Sequence, residues 1–153
     1  MATAARSAEL ERRLAEVVGS QHVRSDAGAR YAYATDATPM HSGMPFCIVL
    51  PGSTDEVAAV LRTAAQLEVP VIPRGAGTNL SAGTVAGHGE MMLVLTRMDR
   101  LLELDVENLV AVCQPGLTTA KLGAAAEARG TKLRSWEFMR VPDCVDRDLR
   151  LFA

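Results

Sequence analysis

Apolar residues recur at Leu10, Leu14, Val17 and Val18, which is the i, i+4, i+7, i+8 spacing of one helix face. The pattern predicts a helix over residues 7–18. Ser7 is the expected N-cap, Glu9 and Glu11 suit the positive first turn, and Gly19 is the expected stop. Residues 21–44 carry no clear period and are expected to be loop with a short helical turn. Within them YATDATP places Asp36, Thr38 and Pro39 where a turn is expected. FCIVL, residues 46–50, is continuously apolar and ends at Pro51 and Gly52. Such a run predicts a strand buried on both faces. Ser53 and Glu56 then have capping-box spacing, and Val57, Val60, Leu61 and Ala64 form the inner stripe of a helix ending near Leu67. Residues 69–72 read as a second strand.

Strand, helix and strand within about 30 residues make a βαβ unit with an expected right-handed crossover. Beyond it the pattern changes. Residues 91–95 (MMLVL) read as another strand. Residues 101–106 and 109–114, separated only by Glu107 and Asn108, predict a tight hairpin. Pro115 and Gly116 break the run, and Thr118 or Thr119 caps a last helix through Ala128, stopped by Gly130. The fold class is therefore α+β, with a parallel βαβ unit followed by antiparallel strands. The tail, residues 131–153, is rich in charge and fits neither period. The expected division is residues 1–130 as one domain with an N-terminal helix, and 131–153 as an atypical tail.

Composition narrows the function classes. The chain has 153 residues, is 48% hydrophobic and 22% charged, and carries a formal net charge of −2. These values exclude disordered and fibrous classes. No Lys/Arg run gives the footprint of a nucleic-acid binder. Cys47, Cys113 and Cys144 are odd in number and widely spaced, which argues against a disulfide framework or a zinc site. Cys113, in an expected strand, reads as a small core residue. His22, His41 and His88 are scattered and read as surface or loop histidines. No apolar run of membrane-spanning or signal-peptide length occurs, so a reduced, cytoplasmic protein is the default expectation.

The candidate chemistry lies in VIPRGAGTNLSAG, residues 71–83. A loop at the carboxyl end of a parallel strand is where open α/β sheets bind ligands. Glycines let backbone N–H groups close on a small anion, as a pyrophosphate requires. Arg74 adds a cation, Thr78 and Ser81 add hydroxyls, and Asn79 adds an amide. A P-loop is excluded, because no lysine stands at the required place. A Rossmann fingerprint fits poorly: Gly75-Ala76-Gly77-Thr78-Asn79 ends in Leu80, and residues 81–89 are too glycine-rich to open a helix. Any anion would be held by the amides of a coil. On these residues alone the loop is either a phosphate cradle or a structural surface loop.

The run PGSTDEVAAVLRTAAQLEVPVIPRGAGTNLSAG, preceded by YATDATP and followed by VLTRMDRLLELDVENLVAVCQPG, resembles the FAD-binding domain of the vanillyl-alcohol oxidase and p-cresol methylhydroxylase type. Within that type it is most similar to the glycolate oxidase D subunit and D-lactate dehydrogenase group. The resemblance spans residues 8–130. It implies a split α+β FAD-binding domain whose glycine-rich loop wraps the FAD pyrophosphate. That role carries over to Pro73, Arg74, Gly75, Ala76, Gly77, Thr78, Asn79, Leu80 and Ser81, and to Gly83. Gln114, Pro115 and Gly116 match a segment that approaches the cofactor. Thr78 stands where some relatives attach FAD through a histidine, so the resemblance implies a non-covalent flavin.

After Gly130 the family's second cofactor-contacting stretch and its substrate domain are not matched. The chain reads as the front part of a flavoenzyme, a fragment or truncated product. The resemblance implies oxidation of a D-2-hydroxy acid, glycolate or D-lactate, to the 2-oxo acid, with other subunits of an oxidase complex as partners. The alternatives are a non-catalytic nucleotide-binding or subunit-interaction module, and a marginally soluble remnant. No residue is assignable as catalytic base; His88 is the nearest histidine to the loop.

Overall fold

The structure is a computed structural model that describes residues 2–38, 40–87, 89–134 and 150–152. The backbone forms two compact units, Met1–Arg97 and Met98–Ala153.

In the first unit, helix α1 spans Ala2–Val18. It starts five residues before the expected cap, so Ser7 lies inside the helix. Alanines and Arg6 are strong helix formers, and they outweigh the local preference of one serine for a cap. The stop is where it was expected: the N–H of Gly19 donates to the Ala15 carbonyl at 2.9 Å. A 3-10 turn (Ser20–His22), strand β1 (Val23–Arg24) and helix α2 (Ala27–Ala32) follow. Strand β1 corrects the expectation of loop here. At two residues it is too short to show a period, and it exists through pairing with β2. Asp26 caps α2 by accepting from the Ala29 N–H at 2.9 Å.

Strand β2 is Ile48–Val49, shorter than expected, yet all of residues 47–50 are buried. Helix α3 covers Thr54–Gln66, capped by Ser53, whose Oγ accepts from the Glu56 N–H at 3.2 Å. The Glu56 carboxylate reaches back one residue further than a capping box requires, accepting from the Gly52 N–H at 2.7 Å. The buried stripe of α3 is Val60, Thr63 and Ala64. Leu61, expected inside, is 43% exposed, because the face turned to α1 is centred on Val60 and Ala64 and admits the small Thr63 instead.

Strand β3 is Val71–Arg74 and β4 is Met91–Val94. The sheet order is β1-β2-β4-β3, with β2 and β3 each parallel to β4 and β1 antiparallel to β2. The expected parallel strand–helix–strand unit is present, with β4 seated between its two strands. Strand β3 lies two residues later than expected and includes Pro73, tolerated because β3 is an edge strand. Every residue of β4 is buried. Met91 and Leu93 join Cys47 and Val49 against Leu10, Leu14 and Val18 of α1 and Val60 and Ala64 of α3. Met92 and Val94 join Ile48, Leu50 and Ala86 on the other face, with Tyr33 and Ile72 against them. The alternation follows the pleat.

The second unit contains the expected hairpin, β5 (Leu101–Asp105) and β6 (Val110–Cys113), antiparallel and in its own sheet. Its turn works without Asn-Gly because the Asp105 carboxylate accepts from both the N–H and the Nδ2 of Asn108, at 2.9 and 2.7 Å. Those two bonds also hold the Asp105 carboxyl below its usual range. Helix α4 (Thr119–Glu127) is capped by Thr118. Leu104 and Ala126 centre its core. Strands β7 (Lys132–Arg134) and β8 (Arg150–Phe152) pair antiparallel within the region expected to be an atypical tail. Cys144 and residues 135–149 lie outside the described residues.

Cys47 and Cys113 are free thiols. Cys113 is half-buried rather than in the core, and burial raises its pKa. Burial, reinforced by Glu11, pushes the Cys47 thiol up from its ordinary 9.0 to about 12. An unfolded chain would ionise this thiol first. Its contribution to stability is therefore complete below pH 9.0 and is lost as pH rises towards about 12. At roughly 1.4 kcal/mol per pKa unit the loss is at most about 4 kcal/mol. Urea midpoints are expected to fall more steeply above pH 9.0 in the native chain than in Cys47→Ala; parallel slopes would contradict the assignment.

Candidate functional site

The glycine-rich loop leaves the sheet at the carboxyl end of β3, and its described residues before β4 form no helix or strand. Its geometry is set by Arg74, the last residue of β3. The Arg74 side chain is 7% exposed. One guanidinium nitrogen donates to the Thr35 carbonyl at 2.8 Å, and the group lies over the Tyr33 ring, 5.4 Å from its centroid. Burial lowers the Arg74 pKa, and Asp36 and Tyr33 oppose that shift. Arginine stays charged under such shifts, so the loop is built over a buried cation. Among the described residues, Arg74 Nε is buried without a hydrogen-bond partner.

The chain crosses this guanidinium at Gly77. A Cβ there would stand 2.2 Å from the nearer terminal nitrogen of Arg74 and 2.4 Å from Cζ, and φ is +77°. Both the space and the left-handed backbone require glycine. The Gly77 carbonyl accepts from the Ala37 N–H at 3.0 Å. Asn79 is fixed next: its Nδ2 donates to Asp36 Oδ2 at 2.8 Å, and its Oδ1 accepts from the Thr84 hydroxyl at 2.8 Å. Asp36 Oδ1 accepts from the Thr38 N–H at 2.7 Å, closing the turn expected in YATDATP; Pro39 lies outside the described residues.

Six main-chain donors in the first part of the loop remain open. Among the described residues, the N–H groups of Gly75, Gly77, Thr78, Asn79, Leu80 and Ser81 donate to no protein acceptor. The loop therefore presents a run of unused donors on a backbone held from beneath, and these fit an oxyanion ligand. The hydroxyls of Thr78 and Ser81 are likewise uncommitted among the described residues, and Leu80 is 56% exposed.

Two side chains expected to face the ligand are engaged elsewhere. Arg74 supports the loop from below, and the Asn79 amide is spent on Asp36 and Thr84. Gln114, Pro115 and Gly116 belong to the second unit. There the Gln114 N–H donates to Arg100 and the Gly116 N–H to Met98, at 2.9 and 2.8 Å, and Gln114 Oε1 accepts from the Arg100 N–H at 3.1 Å. Their backbone donors are thus already used. Sequence reasoning missed Tyr33, Thr35 and Asp36 as partners of the loop. Their signal was the aspartate of YATDATP, legible as a turn but not as a contact across some 40 positions. His88 lies outside the described residues, and His41 is exposed. Among the described residues no cluster of His, Cys, Asp or Glu is placed to hold a metal, and no helix is long and apolar enough to cross a membrane.

The FAD binding domain family model matches residues 45–138. The chain belongs to this family. Its cofactor is FAD, and the family is one of FAD-binding oxidoreductases. The glycolate oxidase subunit GlcD of Bacillus subtilis is 36% identical over 122 residues, covering 80% of this chain and 26% of that protein. The D-2-hydroxyglutarate dehydrogenase of Stutzerimonas stutzeri is 39% identical over 108 residues, covering 71% of this chain and 23% of that protein. The fold matches the crystal structure of p-cresol methylhydroxylase with substrate bound, at a TM-score of 0.75 and 16% identity, over 82% of this chain and 25% of that one. The α+β FAD-binding fold expected from sequence is therefore present. The chain spans about a quarter of the length of the curated relatives it matches.

Substitution separates the glycines of this loop. Gly77→Ala meets both the guanidinium and the positive φ, and is expected to destabilise the first unit by about 1–3 kcal/mol in urea unfolding. A Cβ at Gly83 meets nothing closer than 3.8 Å, so Gly83→Ala is expected to change stability by less than about 0.5 kcal/mol. Equal effects would contradict the described packing.

Proposed function

We propose that Pro73, Arg74, Gly75, Ala76, Gly77, Thr78, Asn79, Leu80, Ser81 and Gly83 form the loop that holds the pyrophosphate of FAD, with the side chains of Arg74 and Asn79 as its supports, and that the whole protein oxidises a D-2-hydroxy acid to its 2-oxo acid. The observation that carries the first part is the set of uncommitted N–H groups of Gly75 and of residues 77–81, among the described residues, over the buried Arg74. Several amides converging on one anion stabilise it without long side chains. Thr78 and Ser81 extend the donor set with hydroxyls. Gln114, Pro115 and Gly116 enter the proposal on the family resemblance alone, since the N–H groups of Gln114 and Gly116 are taken. The cofactor-binding region is taken as residues 1–130, with 131–153 as an atypical tail.

Support for the substrate class comes from the names of the relatives, a glycolate oxidase subunit and a D-2-hydroxyglutarate dehydrogenase. Both names denote acids with a hydroxyl beside the carboxylate. FAD, when bound, supplies the two-electron acceptor for such an oxidation. The described residues bind and orient; none is assigned as base. Thr78 has no nucleophilic nitrogen, so the flavin is held non-covalently.

Titration of FAD into the purified chain is expected to quench flavin fluorescence saturably, and acid precipitation to release all the flavin into the supernatant. Absence of binding at excess FAD would overturn the cradle. Flavin remaining in the protein pellet would overturn the non-covalent assignment. With binding in hand, glycolate or D-lactate and an artificial electron acceptor separate an enzyme from a binding module.

A further inference from the structure

We infer that Thr35, Asp36 and Ala37 form a brace that sets the shape of the cofactor loop, with Asp36 as a positioning residue for FAD affinity. Three consecutive residues each fix one point of the loop. Thr35 accepts from Arg74, Ala37 donates to the Gly77 carbonyl at 3.0 Å, and between them Asp36 accepts from Asn79 Nδ2 at 2.8 Å. The anchored points bracket Gly75, Gly77, Thr78 and Asn79, the half-buried part of the donor run. Asp36 also closes its own turn onto Thr38, so the carboxylate is itself held before it holds Asn79. Thr84 completes the restraint from within the loop by donating to Asn79 Oδ1.

The brace acts through hydrogen bonds. A carboxylate beside an anion site would by charge alone repel the ligand, and Asp36 is tolerable there because Arg74 lies next to it. An uncharged residue able to make the same contacts should therefore serve. In Asp36→Asn, Oδ1 still accepts from Thr38. The Asn79 amide can turn over to accept from the new Nδ2, and the Thr84 hydroxyl can accept in place of donating.

This inference rests on the FAD reading of the loop. Its test measures the dissociation constants of FAD and of ADP, which also carries a pyrophosphate, for the full chain and its variants, together with unfolding midpoints without ligand. Asp36→Ala is expected to weaken both ligands roughly tenfold, the scale of losing the part-buried Asp36–Asn79 hydrogen bond that holds the loop. Asn79→Ala is expected to do the same, and the double variant to be no weaker than either single one. Asp36→Asn is expected to bind within about threefold of the native chain. Should Asp36→Ala not fold, Asn79→Ala and Asp36→Asn read the same contact. Native binding that is unchanged by Asp36→Ala or Asn79→Ala would overturn the brace alone. Failure of Asp36→Asn to restore affinity would replace positioning by charge and overturn it too. If the native chain binds neither ligand, the cradle falls first and the brace with it.

Discussion

A charged guanidinium buried at the end of an edge strand constrains everything around the candidate site. Arg74 leaves the sheet pointing inward, under the chain that follows it, and burial makes its charge costly unless partners meet it. The Tyr33 ring, the Thr35 carbonyl and the nearby Asp36 carboxylate are those partners. Each comes from the segment just after α2, so α2 and the residues behind it are tied to the end of β3. The second consequence falls on Gly77, which must cross the guanidinium with no side chain. The glycine-rich character of the loop is thus partly a packing requirement, present before any ligand is considered.

That arrangement separates support from recognition. The positive charge is spent within the protein, between Asp36 and the Tyr33 face. The groups left for a ligand are neutral dipoles, the N–H groups of Gly75 and of residues 77–81. Among the described residues the loop is followed by a strand and no helix adds its dipole, unlike a nucleotide site built on a strand–loop–helix turn. Anion binding here depends on how well the coil is held, because an unrestrained coil would have to order itself at binding. The sheet supplies one anchor, where Leu95 N–H meets the Arg74 carbonyl at 2.9 Å, and the segment 35–37 supplies the other.

Much of this was legible in the sequence. FCIVL and MMLVL announce buried strands because strands covered on both faces carry no polar residue. Ser53 with Glu56, and Thr118, announce their helices because capping is local chemistry. The loop after β3 was legible from its glycines. What was not legible depended on contacts between distant residues. Strand β1 exists only by pairing with β2. Leu61 and Thr63 exchange places because α1 decides which face of α3 is covered. Arg74 read as a free cation, since sequence does not reveal that Tyr33 and Thr35 receive it. Asn79 read as a ligand donor for the same reason.

The central claim is that the N–H groups of Gly75 and of residues 77–81, on a loop held by Arg74 and unused among the described residues, are what a diphosphate meets. Backbone amide resonances of the ¹⁵N-labelled chain, followed as FAD is added to saturation, test it most directly. The account predicts that the amides of Gly75, Gly77, Thr78, Asn79, Leu80 and Ser81 shift strongly and together. Bound flavin with those six resonances unmoved would contradict it.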